Sequence, residues 1–241
     1  MSRLADVVRF YEVLAELRRK VGERRLCDCD GRMAWPPRGV YFFFEVSEGR
    51  STSDAGLRVV RVGTHALNAQ SSTTLWGRVS RHRGVASTGG GNHRGSIFRL
   101  LVGEALLRRQ GADCASWGNK QSLGAAAESA GTTREAIRCQ EAEVERRVSQ
   151  FIGAMPFTWL RVDDPPGPES ERGFIERSSI ALLSNVGKEP IDSPSAEWLG
   201  RHSGREPVRA SGLWNNNHVE GLPAPSFLDR FTLAVKSCTA P

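Results

Sequence analysis

The hydrophobic positions of this chain repeat with two different periods, and each change of period marks a predicted element. Residues 3–22 carry apolar side chains every three or four positions, which predicts an amphipathic helix ending at Gly22. Residues 39–46 and 57–64 are instead rich in β-branched and aromatic side chains. They predict the two strands of a hairpin with a long, polar connection.

Shorter elements follow the hairpin. Thr73 or Thr74 can cap a short helix, and a loop is predicted after it over residues 85–95. Residues 96–102 form an apolar run that predicts a strand, which leads into a helical stretch. The first half of the chain therefore predicts a helix, a hairpin, a helix and a strand, in that order.

The second half contains longer helical patterns. Residues 134–153 predict a charged helix, residues 157–162 an apolar strand, and residues 169–184 a further helix. A Gly-, Ala- and Ser-rich stretch at about 108–133 precedes them and predicts a surface insertion. The order of elements predicts a mixed α/β domain of the α+β kind, with a small, mainly antiparallel sheet flanked by helices.

The charge of the chain favours polyanionic partners. Its 241 residues include 33 Lys and Arg against 27 Asp and Glu, a net charge of +6. A basic surface binds nucleic acid chiefly through the phosphates, although a basic protein without such a partner has the same composition. No Walker or Rossmann glycine motif follows a predicted strand, which argues against the common nucleotide-binding folds.

Cysteine usage and hydropathy indicate the compartment. The five cysteines are irregularly spaced and form no zinc-site pattern, so we interpret them as reduced thiols of an intracellular protein. No signal peptide opens the chain, and no apolar run approaches the length of a membrane span. We therefore expect a cytoplasmic protein with no membrane partner.

Two basic side chains, Arg78 and His82, lie four positions apart in the short predicted helix and so share one of its faces. Arginine is always charged and can hold two phosphate oxygens at once, while histidine exchanges a proton near neutral pH. The pair therefore suits phosphodiester chemistry. The alternative is that both are solvated residues on a basic helix.

A single carboxylate, Glu176, shares a helix face with Ile180 and Leu183. A carboxylate on an apolar face requires a partner. Mg²⁺ would supply one, because this ion takes one or two carboxylates together with water and phosphate oxygens. A helix salt bridge with Arg172, four positions earlier, is the alternative.

Four pieces of the sequence, in this order, resemble the GIY-YIG nuclease superfamily. They are Gly39-Val40-Tyr41, Arg61-Val62-Gly63, the pair Arg78 and His82, and Glu176. The resemblance covers roughly residues 36–186, and the Arg-x-x-x-His spacing looks most like the restriction-endonuclease branch. It implies a three-stranded antiparallel sheet flanked by helices. Residues 1–35 would then be an N-terminal helix and linker, residues 36–186 the catalytic core, and residues 187–241 an extension packed on that core.

The resemblance also implies a metal-dependent endonuclease that hydrolyses DNA with a single Mg²⁺ ion. Glu176 would be the metal ligand, and Arg78 would stabilise negative charge on the phosphate. Tyr41 would position or deprotonate the attacking water, with His82 assisting it or acting as the base. One such site cuts one strand, so double-strand cleavage would need a homodimer or two successive events.

Further residues are predicted to contact nucleic acid. Arg61 stands where the family usually has tyrosine, and a guanidinium there can bind phosphate but cannot act as a base. His65 follows this motif and can either contact phosphate or lie on the surface. The remaining predicted contacts are Asn92, His93 and Arg94, which could equally form a solvated turn, and Asn185. Two tail residues are interpreted as packing and capping residues, Trp214 and Asn215.

Three other functions are compatible with the same residues. The first is a catalytically inactive nucleic-acid-binding module of the same fold, in which the altered second motif reflects lost activity. The second is a structure-specific DNA repair nuclease instead of a site-specific one. The third is an interaction protein built on the N-terminal helix, which would have no affinity for DNA.

Overall fold

The computed structural model describes residues 2–118 and 122–238. Its centre is a four-stranded sheet in the order β1-β4-β2-β3, in which every neighbouring pair is antiparallel. The strands are β1 (Arg24–Arg25), β2 (Gly39–Gly49), β3 (Leu57–Gly63) and β4 (Pro156–Arg161). The antiparallel hairpin and the later strand are confirmed, but the expected number of three strands is too low. The additional strand β1 consists of two exposed arginines, which carry no hydrophobic pattern.

Eight α-helices surround this sheet in the described part of the chain. They are α1 (Arg3–Val21), α2 (Leu75–Arg83), α3 (Ile97–Gln110), α4 (Leu123–Ser129), α5 (Arg134–Ala154), α6 (Glu171–Leu183), α7 (Glu206–Ser211) and α8 (Phe227–Ser237). The helices predicted over residues 3–22, 134–153 and 169–184 are confirmed to within two residues at either end. None of these eight helices is both long and apolar enough to cross a membrane.

The strand predicted over residues 96–102 is wrong, because these residues belong to α3. Ser96 is the N-cap of that helix, and its hydroxyl oxygen accepts a hydrogen bond from the backbone N–H of Arg99. The start of α3 is buried on nearly every side, so its side chains form an unbroken apolar run. Periodicity alone cannot distinguish such a buried helix from a buried strand.

The two faces of the sheet pack against different helices. Phe42 points to one face, where its ring contacts Phe10 of α1 and Phe231 of α8. Phe43 points to the other face, against Phe98 of α3 and next to α2. The fold therefore has helices on both sides of the sheet, and the second face contains the polar cluster described below.

The outer edge of β3 is covered by the C-terminal part of the chain. The backbone N–H of Trp214 donates to the carbonyl of Val60 at 2.7 Å. The side chain of Asn215 accepts from the N–H of Val62 at 3.1 Å and donates to its carbonyl at 2.8 Å. An edge strand is thus closed by a backbone segment and one amide side chain. Trp214 and Asn215 are packing and capping residues, as the sequence indicated.

The Gly-, Ala- and Ser-rich stretch at about 108–133 contains the short helix α4. Ser122 caps this helix, and its buried side chains Ala126 and Ala127 lie towards α5. Residues 119–121 of the predicted insertion lie outside the described residues. The division into segments 1–35, 36–186 and 187–241 stays a prediction.

Candidate active site

Two motif glycines allow the backbone and the Tyr41 ring to come unusually close together. Gly63 lies opposite Tyr41 in the β2–β3 ladder, and a Cβ on Gly63 would lie 2.4 Å from the Tyr41 hydroxyl oxygen. A Cβ on Gly39 would lie 2.3 Å from the carbonyl oxygen of Leu160 on β4. Only glycine fits at either position, because real Cβ atoms do not approach other heavy atoms so closely.

Tyr41, His82 and Ser96 form a buried hydrogen-bonded trio on the face of the sheet that packs against α2 and α3. The Tyr41 hydroxyl lies 2.8 Å from Nε2 of His82, and Nδ1 of His82 lies 2.7 Å from Oγ of Ser96. Burial lowers the pKa of His82 well below its ordinary value, and the nearby Arg78 and Arg61 lower it further. His82 is therefore a neutral imidazole at neutral pH.

Arg99 of α3 binds the C-terminal end of α2. This fully buried guanidinium donates to the carbonyl oxygen of His82 at 2.9 Å and forms an ion pair with Glu145 of α5. Buried charges persist only when they are paired and hydrogen-bonded. Arg99, a residue of α3, therefore connects α2 and α5 next to the trio.

Arg61 lies inside the protein, on the same face of the sheet as Tyr41. It is opposite Phe43 in the strand register, only 5% of its surface is exposed, and its guanidinium lies 4.7 Å from the ring centre of Phe98. One guanidinium nitrogen donates to the carbonyl of Trp214. Burial lowers the pKa of Arg61, while Tyr41 and Glu176 nearby favour its charged form. A side chain pointing to water from the sheet edge is thereby excluded.

Arg78 enters the cluster from α2, the helix capped by Thr74. Its side chain makes no hydrogen bond or ion pair with any residue in the described part of the chain, and its Nε is buried. Burying part of a guanidinium that makes no hydrogen bond or ion pair costs free energy. Its donors are available for an anion that enters the site, such as a phosphate.

Glu176 reaches the same cluster from α6. Its Oε1 accepts the backbone N–H of Thr64 at 3.1 Å, and the Thr64 hydroxyl donates to the carbonyl of Gly39 at 2.8 Å. Burial raises the pKa of the Glu176 carboxyl, and Arg61 and Arg78 act in the opposite direction. Its Oε2 has no hydrogen-bond partner among the described residues.

The alternative of a helix salt bridge between Glu176 and Arg172 is wrong. Arg172 points the other way, forming an ion pair with Asp164 and donating to the carbonyl of Ala66 at 3.0 Å. Glu176 is therefore left as a carboxylate with one fixed oxygen and one available oxygen. Of the two explanations offered by its sequence position, only the first, a bound metal ion, requires a partner from outside the protein.

The donor set suits a hard cation that needs few protein ligands. No group of three or more His, Cys, Asp or Glu residues in the described part of the chain could hold a metal. Mg²⁺ differs from zinc in this respect, because it is commonly held by one or two carboxylates, water and substrate phosphate oxygens. The available oxygen of Glu176 fits that kind of site.

His65 is buried near the cluster. Its Nε2 lies 3.3 Å from the carbonyl of Pro37, while its Nδ1 has no hydrogen-bond partner among the described residues. Burial and the neighbouring Arg172 lower the pKa of His65 to about 4. His65 is thus an uncharged side chain at neutral pH, which weakens the expectation that it contacts phosphate through charge.

The other predicted nucleic-acid contacts are engaged within the protein. His93 is buried, stacks on Trp117 with the ring centres 4.0 Å apart, and lies 3.0 Å from Glu145. Arg94 forms an ion pair with Glu141 at 2.7 Å. Asn92 is exposed, and its side chain caps the turn by accepting the N–H of Arg94 at 3.0 Å. A fully solvated turn is therefore wrong for this segment.

Asn185 lies outside the cluster. Its side chain binds the backbone of Ile191 in both directions, at 3.0 and 3.1 Å, and accepts from Arg3 at 3.0 Å. These bonds connect α6 with α1 and with the following C-terminal segment. The structure thus brings together Tyr41, Arg61, Arg78, His82 and Glu176, but not Asn185.

Two members of the site, Ser96 and Thr64, were not among the predicted site residues. Ser96 precedes an apolar run, which is the ordinary signal for a helix cap, and nothing local indicates its contact with His82. Thr64 acts mainly through its backbone N–H, which every residue except proline has. Both contacts join residues far apart in the chain.

Comparison with known proteins identifies a family for this chain. A family model described as "GIY-YIG domain" matches residues 1–241. No curated protein and no solved structure matches the chain.

Proposed function

The chain belongs to the GIY-YIG domain family, and from this premise we propose that it is a metal-dependent endonuclease that hydrolyses DNA phosphodiester bonds. Membership of the family implies a nuclease-type function. The observation that carries the proposal is the convergence of Tyr41, His82 and Glu176 around the Arg78 guanidinium, which forms no hydrogen bond or ion pair in the described part of the chain. A phosphate could accept hydrogen bonds from these donors.

Arg78 is the proposed phosphate ligand. Its planar donors can hold two non-bridging oxygens of the scissile phosphate, and the charge that develops there would be stabilised without any rearrangement of protein partners. Arg61 lies deeper and has protein partners of its own. Arg61 would contact the phosphate as a second positive charge, and its protein partners would hold that charge in a fixed position.

Tyr41 is the proposed base. In its deprotonated form it would take a proton from the attacking water while the water oxygen bonds to phosphorus and the leaving oxygen departs. His82 is a poor candidate, because accepting a proton would create an imidazolium among Arg78, Arg61 and Arg99, where burial has already lowered its pKa strongly. Its neutral ring can instead hold the Tyr41 hydroxyl in place.

Glu176 is the proposed ligand of a single Mg²⁺ ion. When bound, the ion would neutralise charge on the scissile phosphate and on the leaving oxygen. The N–H of Thr64 orients the carboxylate by holding Oε1, so that Oε2 stays available. This hydrogen bond limits the rotation of the Glu176 side chain, which would otherwise have several rotamers.

A plasmid-nicking assay tests the proposal. Supercoiled DNA should be converted to the nicked form by the full-length protein with Mg²⁺, and the reaction should stop when the metal is removed with a chelator. DNA binding without cleavage under any divalent metal would instead support the inactive binding module. Absence of both binding and cleavage at low salt would support the interaction protein.

Cleavage assays on linear and on branched DNA separate the two classes of DNA substrate. Discrete fragments from linear duplexes would support a restriction-like enzyme, whereas cleavage confined to branched substrates would support a structure-specific repair nuclease. One cluster of this kind is expected to cut one strand. If duplexes are cut on both strands at once, the rate should rise with protein concentration as a homodimer forms.

A further inference from the structure

Ser96 connects the first turn of α3 to the proposed base. It is 1% exposed, and its Oγ has two neighbours in the described part of the chain. The backbone N–H of Arg99 donates to this oxygen at 3.2 Å, and Nδ1 of His82 lies 2.7 Å from it. The sole acceptor available to the Ser96 hydroxyl proton among these residues is therefore His82.

The protons of the trio can be counted. Two hydrogen bonds join Ser96, His82 and Tyr41, and each bond needs one proton. The neutral trio holds three such protons, one on each side chain. One of the three protons is therefore not used in these two bonds. It lies at one end of the hydrogen-bonded trio, either on Ser96 or on Tyr41.

The two ends differ in their surroundings. At the Ser96 end, the second neighbour of the oxygen is the N–H of Arg99, which is a donor, and a serine hydroxyl does not ionise. At the Tyr41 end lie the guanidinium of Arg61 and the site where water and phosphate would enter. A surplus proton at Ser96 would stay buried without an acceptor, which costs free energy. At the Tyr41 end, the proton can point to the site where water and phosphate would enter.

We propose that Ser96 is a positioning residue that donates its proton to Nδ1 of His82 and thereby keeps the imidazole proton on Nε2. The Nε2–H then donates to the Tyr41 oxygen, and every bond of the trio is satisfied when Tyr41 is deprotonated. Ser96 would thus prepare Tyr41 to take a proton from water. This assignment rests on the endonuclease function proposed above.

The effect of a substitution at Ser96 on the trio must be separated from its effect on the cap, since loss of a serine cap destabilises a helix. Ser96→Gly keeps a residue that is tolerated at N-caps and removes the hydroxyl. Thr133→Gly is the matched control, because Thr133 caps α5 through Ala136 and has no contact with the trio. Ser96→Thr retains the hydroxyl and tests for rescue.

The first measurement is the tautomer of His82. Nitrogen-15 NMR of the full-length protein, labelled at histidine and assigned with His82→Gln, reports which ring nitrogen carries the proton. We expect Nε2–H in the wild type and in Ser96→Thr, and loss of that single tautomer in Ser96→Gly. An Nδ1–H tautomer in the wild type would overturn the proposal, whether or not the protein cleaves DNA.

The second measurement is single-turnover cleavage with bound DNA. Ser96→Gly should slow the cleavage step by about tenfold or more at unchanged DNA affinity, while Thr133→Gly and Ser96→Thr stay close to wild type. Equal rates in Ser96→Gly and the wild type would refute the positioning role. If the wild type cuts no DNA, the endonuclease function fails, and the NMR result alone decides the tautomer.

Discussion

Two arginines in the same cluster have different surroundings. Arg61 is buried, donates to the carbonyl of Trp214 and lies over Phe98, whereas Arg78 has no partner in the described part of the chain. A side chain with internal partners contributes to stability as well as to charge. A side chain without them can be replaced at little cost to the fold. Their substitutions should therefore separate function from stability.

Arg78→Lys should reduce turnover strongly at unchanged stability. Lysine keeps the charge but loses the planar fork that can hold two oxygens. We expect turnover to fall about tenfold or more, which corresponds to about 1.4 kcal/mol of transition-state stabilisation. Cleavage kinetics and urea unfolding check the two halves. Unchanged turnover would mean that Arg78 supplies only general positive charge.

Arg61→Gln should weaken both DNA binding and the fold. Loss of one phosphate contact lowers the slope of log affinity against log salt by about one. Loss of the bond to Trp214 and the stacking on Phe98 should also lower the free energy of unfolding by about 1–3 kcal/mol. Arg81→Gln, at an exposed position of α2, is the control for charge alone. An unchanged salt slope would exclude Arg61 as a phosphate ligand.

Glu176→Ala should abolish cleavage while DNA binding largely survives, because the proposed metal ligand is lost and Arg78 stays in place. Glu171→Ala is the matched control on the same helix, since Glu171 pairs with Arg230 at the surface and does not enter the cluster. Gel-shift and nicking assays measure binding and cleavage separately. Wild-type cleavage by Glu176→Ala would defeat the assignment of Glu176 as metal ligand.

Among the elements, the β2–β3 hairpin and the helices that cover it decide where the side chains of the cluster meet. Tyr41 and Arg61 come from neighbouring strands of the hairpin, Arg78 and His82 from α2, and Glu176 from α6. The Tyr41 ring can lie against β3 only because Gly63 has no side chain. The glycines of the two motifs are therefore structural requirements of the site.

Gly63→Ala should destabilise the hairpin and disturb the Tyr41–His82 bond. The added methyl group would lie 2.4 Å from the Tyr41 hydroxyl, so the ring must move. Overpacking of this kind typically costs 1–3 kcal/mol. Gly49→Ala in β2 is the control, because its nearest neighbour would be at 3.9 Å. Urea unfolding of both variants measures the effect, and equal stabilities would contradict the steric explanation.

Across the whole molecule, buried neutral histidines connect stability to pH. Burial and Arg172 lower the pKa of His65 to about 4 in the folded protein, against about 6.5 in an unfolded chain. Between these values the unfolded chain binds a proton that the native protein does not. Stability therefore falls as the pH is lowered through about 6.5, and it continues to fall until about pH 4.

His65→Gln should make the protein less sensitive to acid. The difference in unfolding free energy between pH 7 and pH 4.5 should shrink by about 2 kcal/mol, since one pKa unit corresponds to about 1.4 kcal/mol. The control is His202→Gln, a substitution of an exposed histidine. Urea unfolding at both pH values gives the comparison. An identical pH dependence in His65→Gln and the wild type would rule out His65 as a contributor.

The sequence by itself determined the elements with strong local periodicity and the residue types of the site. The hairpin, α1, α5 and α6 follow from patterns within ten to twenty residues, because local side-chain spacing decides which face is buried. The resemblance to the family identified four candidate site residues, because they occur in the order of the family's motifs. These residues are Tyr41, Arg78, His82 and Glu176. These four residues do converge in the folded protein.

Only the tertiary structure decided the features that depend on contacts between distant parts of the chain. The apolar run after Ser96 has no helical period because the start of α3 is buried on nearly every side, and β1 forms because β4 offers it an edge to pair with. His93 has an ordinary loop sequence but is buried by Trp117 and Glu145. Such contacts leave no local periodicity, so the partners of each polar side chain appear only when the chain has folded.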